Sequence, residues 1–75
     1  MVFPQFRKLN NDKSYYRIDA HDRFVELQQI GKKWMKFELK VDQYFDLMRV
    51  HDMLQANSPY VRSTQNEFNA IQIDF

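Results

Sequence analysis

The chain contains no cysteine, which excludes disulfides and thiolate metal sites. It has one glycine and two prolines, too few for a linker, a collagen-like repeat or a low-complexity segment. No apolar run approaches the ~18 residues that a membrane-crossing helix needs. The opening Met1-Val-Phe-Pro-Gln5 has neither the basic start nor the apolar centre of a secretory signal, so a soluble, cytoplasmic protein is expected. Net charge is only +1, far from the basicity of a dedicated nucleic-acid binder.

What the chain does have is apolar and aromatic: 44% hydrophobic residues and 16% aromatic within 75 residues. Residues 1–75 make one domain, near the lower size limit for folding without staples. A core this small leaves aromatic surface for self-association or a partner to cover. The small net charge hides an asymmetry. Residues 1–41 hold nine Lys/Arg against five Asp/Glu, and residues 42–75 hold two against five. A mildly basic first part is therefore followed by an acidic second part.

The strongest local pattern is Lys33-Trp-Met-Lys-Phe-Glu-Leu-Lys-Val41. Met35, Phe37, Leu39 and Val41 alternate with Trp34, Lys36, Glu38 and Lys40, the period of a half-buried strand. This segment is expected to be the central strand of a small antiparallel sheet. Phe3–Leu9 and Ser14–Asp19 read as two earlier strands around a turn at Asn10–Lys13, with Tyr16 and Ile18 inward. Arg23–Ile30 reads as the third strand. Val25 and Leu27 share an inward face with Met35 and Phe37 only if the intervening connection holds an odd number of residues. A two-residue Gly31-Lys32 turn would set Val25 opposite Glu38 and Leu27 opposite Lys36, so a bulged loop around Gly31 is expected.

After Val41 the period changes. Asp42 is placed to cap a helix running to about Gln55, with Tyr44, Leu47, Met48, Val50 and Leu54 on one face and Phe45 and Met53 off it. A loop followed by a strand from Met48 to Met53 is the alternative. Asn57-Ser-Pro-Tyr60 is a breaker. Thr64-Gln-Asn-Glu67 has the spacing of a capping box, opening a short helix with Phe68, Ile71 and Phe75 on one stripe. The expected fold is α+β: an antiparallel meander of about four strands, with one or two short helices in the C-terminal half.

Tyr15-Tyr-Arg-Ile18, Phe24, Glu26-Leu-Gln-Gln-Ile-Gly31, Asp52-Met-Leu54 and Glu67-Phe68 together resemble small uncharacterised proteins encoded by bacterial phages and mobile elements. The likeness spans most of the chain. It departs near Phe45 and Asp46, where those proteins often carry a proline. The resemblance implies no activity or catalytic residue; it favours a phage-borne accessory or host-modulating protein that works by binding.

Two His-Asp pairs, His21-Asp22 and His51-Asp52, hold residue types used in metal ligation and acid–base catalysis. Neighbours on a strand or helix diverge, however, and no third ligand stands at a diagnostic spacing. Ser63 and Thr64 read as helix caps rather than nucleophiles. No enzyme, cofactor or metal is therefore expected. The outer sheet face is the candidate binding site, with Phe24, Trp34, Lys32, Lys36 and Lys40 as partner-binding residues. Aromatics among cations suit either a protein interface anchored on Trp and Phe or stacking of single-stranded nucleic acid. Cover of Trp34 by the chain itself is the third possibility. The preferred reading is non-enzymatic binding of a protein partner, either a host protein or a second copy, with a single-stranded nucleic-acid module as the alternative and no membrane contact.

Overall fold

A computed structural model describes residues 2–72. Five strands and two helices follow one another as β1 (Gln5–Leu9), β2 (Ser14–Ala20), β3 (Arg23–Ile30), β4 (Lys33–Lys40), α1 (Tyr44–Leu54), β5 (Tyr60–Arg62) and α2 (Gln65–Gln72). The strands form one antiparallel sheet in the order β4-β3-β2-β1-β5. The α+β meander expected from the sequence is present, with both helices in the C-terminal half. The fifth strand lies in the segment read only as a breaker, where Tyr60–Arg62 return to pair with Leu9–Arg7.

The Lys33–Lys40 strand is not central. It pairs with β3 alone and forms one edge of the sheet, while β2 occupies the middle. The β3–β4 connection is a two-residue turn of Gly31 and Lys32, closed by Ile30 opposite Lys33. Gly31 has φ +63, and a positive φ at the first turn residue matches the right-handed twist of the flanking strands. The bulged loop expected there is absent. A register shift does occur, but between β2 and β3, where β2 carries one extra residue between Ile18 and Ala20.

That short turn sends alternate residues of β3 to opposite sides. Val25 stands opposite Glu38 and Leu27 opposite Lys36, the arrangement the sequence argument rejected. It is tolerated because both faces of the sheet are covered. On one face Tyr16, Ile18 and Phe24 pack with Val50, Met53 and Leu54 of α1. On the other, Tyr15, Val25 and Leu27 pack with Phe68 of α2. A sheet buried on both sides has no single inward parity, so period-2 alternation no longer tells core from surface. Val25 and Leu27 therefore do not share a face with Met35, Phe37 and Leu39.

Residues 44–54 are helix, which excludes the loop-and-strand alternative. Asp42 does not cap it: Gln43 holds the N-cap position and makes no side-chain cap bond. The buried stripe is Val50, Met53 and Leu54, so Met53 belongs to the core and Tyr44 does not. The C-terminal helix starts as expected. Thr64 Oγ1 accepts from the Glu67 amide at 3.1 Å, while the Glu67 carboxylate takes Lys8 Nζ at 3.1 Å and Ser63 Oγ at 3.3 Å. Half of a capping box is formed, and its carboxylate ties α2 to β1. Phe68 is buried and Ile71 half-buried on this helix, while Phe75 of the expected stripe lies outside the described residues.

Candidate binding surface

Strand parity separates the five residues expected to form one partner-binding surface. Trp34, Lys36 and Lys40 stand opposite Gln29, Leu27 and Arg23, on the α2 side of the sheet. Phe24 stands opposite Ile18 and Leu39, on the α1 side, and is only 2% exposed. It is a core residue rather than an outward anchor. Lys32 is an exposed turn residue at the end of the β3–β4 hairpin.

Trp34 is half-buried. Its ring meets Tyr15 edge-on, with centroids 5.9 Å apart, and it packs against the Tyr15, Val25, Leu27 and Phe68 cluster. The chain thus supplies much of its cover. Lys36 lies 3.7 Å from the Glu38 carboxylate two residues along the same strand, so the cationic row beside Trp34 is interrupted by an acid. A shallow depression of roughly 300 Å³ next to it is lined by Arg17, Asp19, Arg23, Glu38 and Lys40 among others. Its charges also compensate: Arg17 Nε donates to Asp19 Oδ1 at 2.9 Å.

On the α1 side a polar cluster sits at the rim of the core. Arg49 Nε donates to Tyr60 Oη at 3.2 Å, its guanidinium lies 3.6 Å from Glu26 Oε1, and it stacks over Phe24 at 5.5 Å and Tyr16 at 5.8 Å. Glu26 is buried between these groups. Burial, then the Glu26 charge, pushes the Tyr16 phenol up from 10.0 to about 12, with Arg49 opposing.

The His-Asp pairs are used locally. His21 meets Phe3 edge-on at 5.2 Å, and Asp52 Oδ1 accepts from Asn57 Nδ2 at 3.2 Å beyond the end of α1. Among the described residues no three His, Asp or Glu side chains come together as metal ligands.

The surface that sequence reasoning missed lies on the α1 side. Tyr44 is 70% and Phe45 84% exposed, with ring centroids 5.7 Å apart, and Leu47 and Met48 are exposed behind them. Met35 and Phe37 of β4, 45% and 38% exposed, face the same side of the sheet. Single exposed apolar residues are ordinary, but an aromatic pair backed by Met and Leu on one helix end is a candidate contact surface. One signal of it was legible, since Phe45 falls off the amphipathic stripe of its helix. No family model, curated protein or solved structure matches the chain, and among the described residues no helix is long and apolar enough to cross a membrane.

Proposed function

We propose that this is a non-enzymatic binding protein whose partner is another protein, met by the first turns of α1. The observation that carries this reading is the exposure of Tyr44 and Phe45 side by side, with Leu47 and Met48 adjoining. Rigid aromatic rings and Met are residue types enriched at protein interfaces, and the rings lose little side-chain entropy on binding. The resemblance to small phage and mobile-element proteins favours reading the chain as a cytoplasmic modulator of a host protein. The nucleic-acid reading loses ground, because Trp34 is already packed on Tyr15 and its lysine row is broken by Glu38.

Affinity capture from extract of the native cell, with and without nuclease, tests the proposal beside the Phe45→Asp variant. Phe45 is too exposed for the change to threaten folding. A protein captured despite nuclease and lost with Phe45→Asp supports the reading. Capture that nuclease abolishes would transfer the function to nucleic acid. Capture unaffected by Phe45→Asp would move the interface off α1.

A further inference from the structure

The two edges of the sheet differ in a way that α1 does not explain. The β5 edge is three residues long, whereas β4 offers eight, without proline and without a register shift against β3. Natural edge strands are usually short, bulged, covered or charged, because open amides and carbonyls template further pairing. Ile30 and Lys33 close the two-residue turn as a hydrogen-bonded pair, so bonding to β3 recurs at Met35, Phe37 and Leu39. It continues past the strand end, where the Val41 amide donates to the Asp22 carbonyl at 2.8 Å. The amides and carbonyls of Trp34, Lys36, Glu38 and Lys40 therefore point away from the sheet.

We propose that β4 pairs antiparallel with β4 of a second copy, about a twofold axis through Phe37, joining two sheets into one. The occupant is identified by charge and hydrogen-bond parity together. The outward-pointing groups can bond only to one another, which restricts the register to steps of two residues. With Phe37 opposite the partner's Phe37, Lys36 meets the partner's Glu38 and Glu38 meets the partner's Lys36. Trp34 meets the partner's Lys40, a cation beside an aromatic ring, and this pairing also occurs twice. Met35 meets the partner's Leu39, so the half-exposed apolar stripes of the two strands merge on the α1 side. Moving the axis one step sets Lys36 against the partner's Lys36, or Glu38 against the partner's Glu38 with Lys36 against Lys40. Like charges directly opposite are destabilising. Larger shifts leave half the edge unpaired. Lys36, which like Lys33 and Lys40 would by itself disfavour edge pairing, is thus matched by Glu38 two residues on, and the contact is isologous and closes at two copies.

The test is a reciprocal charge exchange read by sedimentation or light scattering across a concentration series. Both side chains point to solvent, Lys36 at 37% and Glu38 at 74% exposure, so the variants keep the fold, which circular dichroism checks. Wild-type protein is expected at twice 9.2 kDa. Lys36→Glu or Glu38→Lys alone should weaken dimerisation about tenfold or more, because each sets two like-charged pairs opposite. An equimolar mixture of the two single variants should restore the dimer as a heterodimer, and Lys36→Glu combined with Glu38→Lys should restore it as a homodimer. A wild-type monomer at every concentration, or a dimer indifferent to the single exchanges, overturns the proposal.

Discussion

Arg7 on β1 donates from Nε to the carbonyl of Met53 at 2.9 Å and from Nη2 to that of Leu54 at 3.0 Å, so a buried cation closes the C-terminal end of α1. The last carbonyls of a helix lack intrahelical partners and carry its negative end, which suits a guanidinium. Burial lowers the Arg7 pKa first, and Arg62 directly across on β5 adds to it. Replacing Arg7 with Met keeps the bulk but leaves the Leu54 carbonyl unpaired and the Met53 carbonyl with the Ala56 amide alone, at 3.0 Å. We expect a loss of about 2–3 kcal/mol in denaturant unfolding, with Arg7→Lys intermediate. A change below about 0.5 kcal/mol would show that water satisfies the helix end equally well.

Leu27 and Phe37, which simple alternation places on one inward face, should differ sharply in cost. Leu27 is fully buried under α2, whereas Phe37 is 38% exposed on the edge strand and belongs to neither core cluster. Leu27→Ala is expected to cost about 3–5 kcal/mol, most of what a domain of this size has, and Phe37→Ala under about 1.5. The comparison is made at a concentration where sedimentation shows a monomer. Equal costs at both positions would contradict the two-faced sheet.

Alkaline pH should destabilise the fold through Tyr16. Its phenol titrates near 12 in the folded chain against 10.0 ordinarily, so the folded state holds the proton more tightly than the unfolded state. The stabilisation is complete below about pH 10 and is lost as pH rises toward 12. Tyr16→Phe should flatten the fall in melting temperature over that window. An unchanged slope in the variant would assign the effect to another group.

Trp34 reports its own cover. Packed edge-on against Tyr15 but only half-buried, it should emit between the fully wet and fully buried limits. Trp34→Ala should lower monomer stability by about 1–2 kcal/mol, a partial share of a buried aromatic. Single-stranded oligonucleotide should leave the emission unchanged. Quenching that weakens steeply with added salt would instead revive the stacking platform.

Much of this fold is written locally. The four strand segments from Gln5 to Lys40, a positive φ at Gly31 and the Thr64 cap follow from alternation, φ preference and hydroxyl chemistry within a few residues of each other, whereas the two-residue form of the Gly31 turn does not. The α1 helix was legible as a change of period, although its buried stripe was not, because Met53 and Tyr44 exchange roles only once the helix lies across β1 and β5. The sequence by itself determined the class of fold and, β5 apart, the segments that form it, since period and capping are properties of neighbours. Tertiary structure decided which strand is an edge, that both faces of the sheet are covered, and hence that Phe24 is core, Trp34 is half-covered and Tyr44 and Phe45 are left in the open. Those outcomes depend on where α1 and α2 dock and on the return of β5 to β1. They are contacts between residues tens of positions apart, which no local pattern encodes.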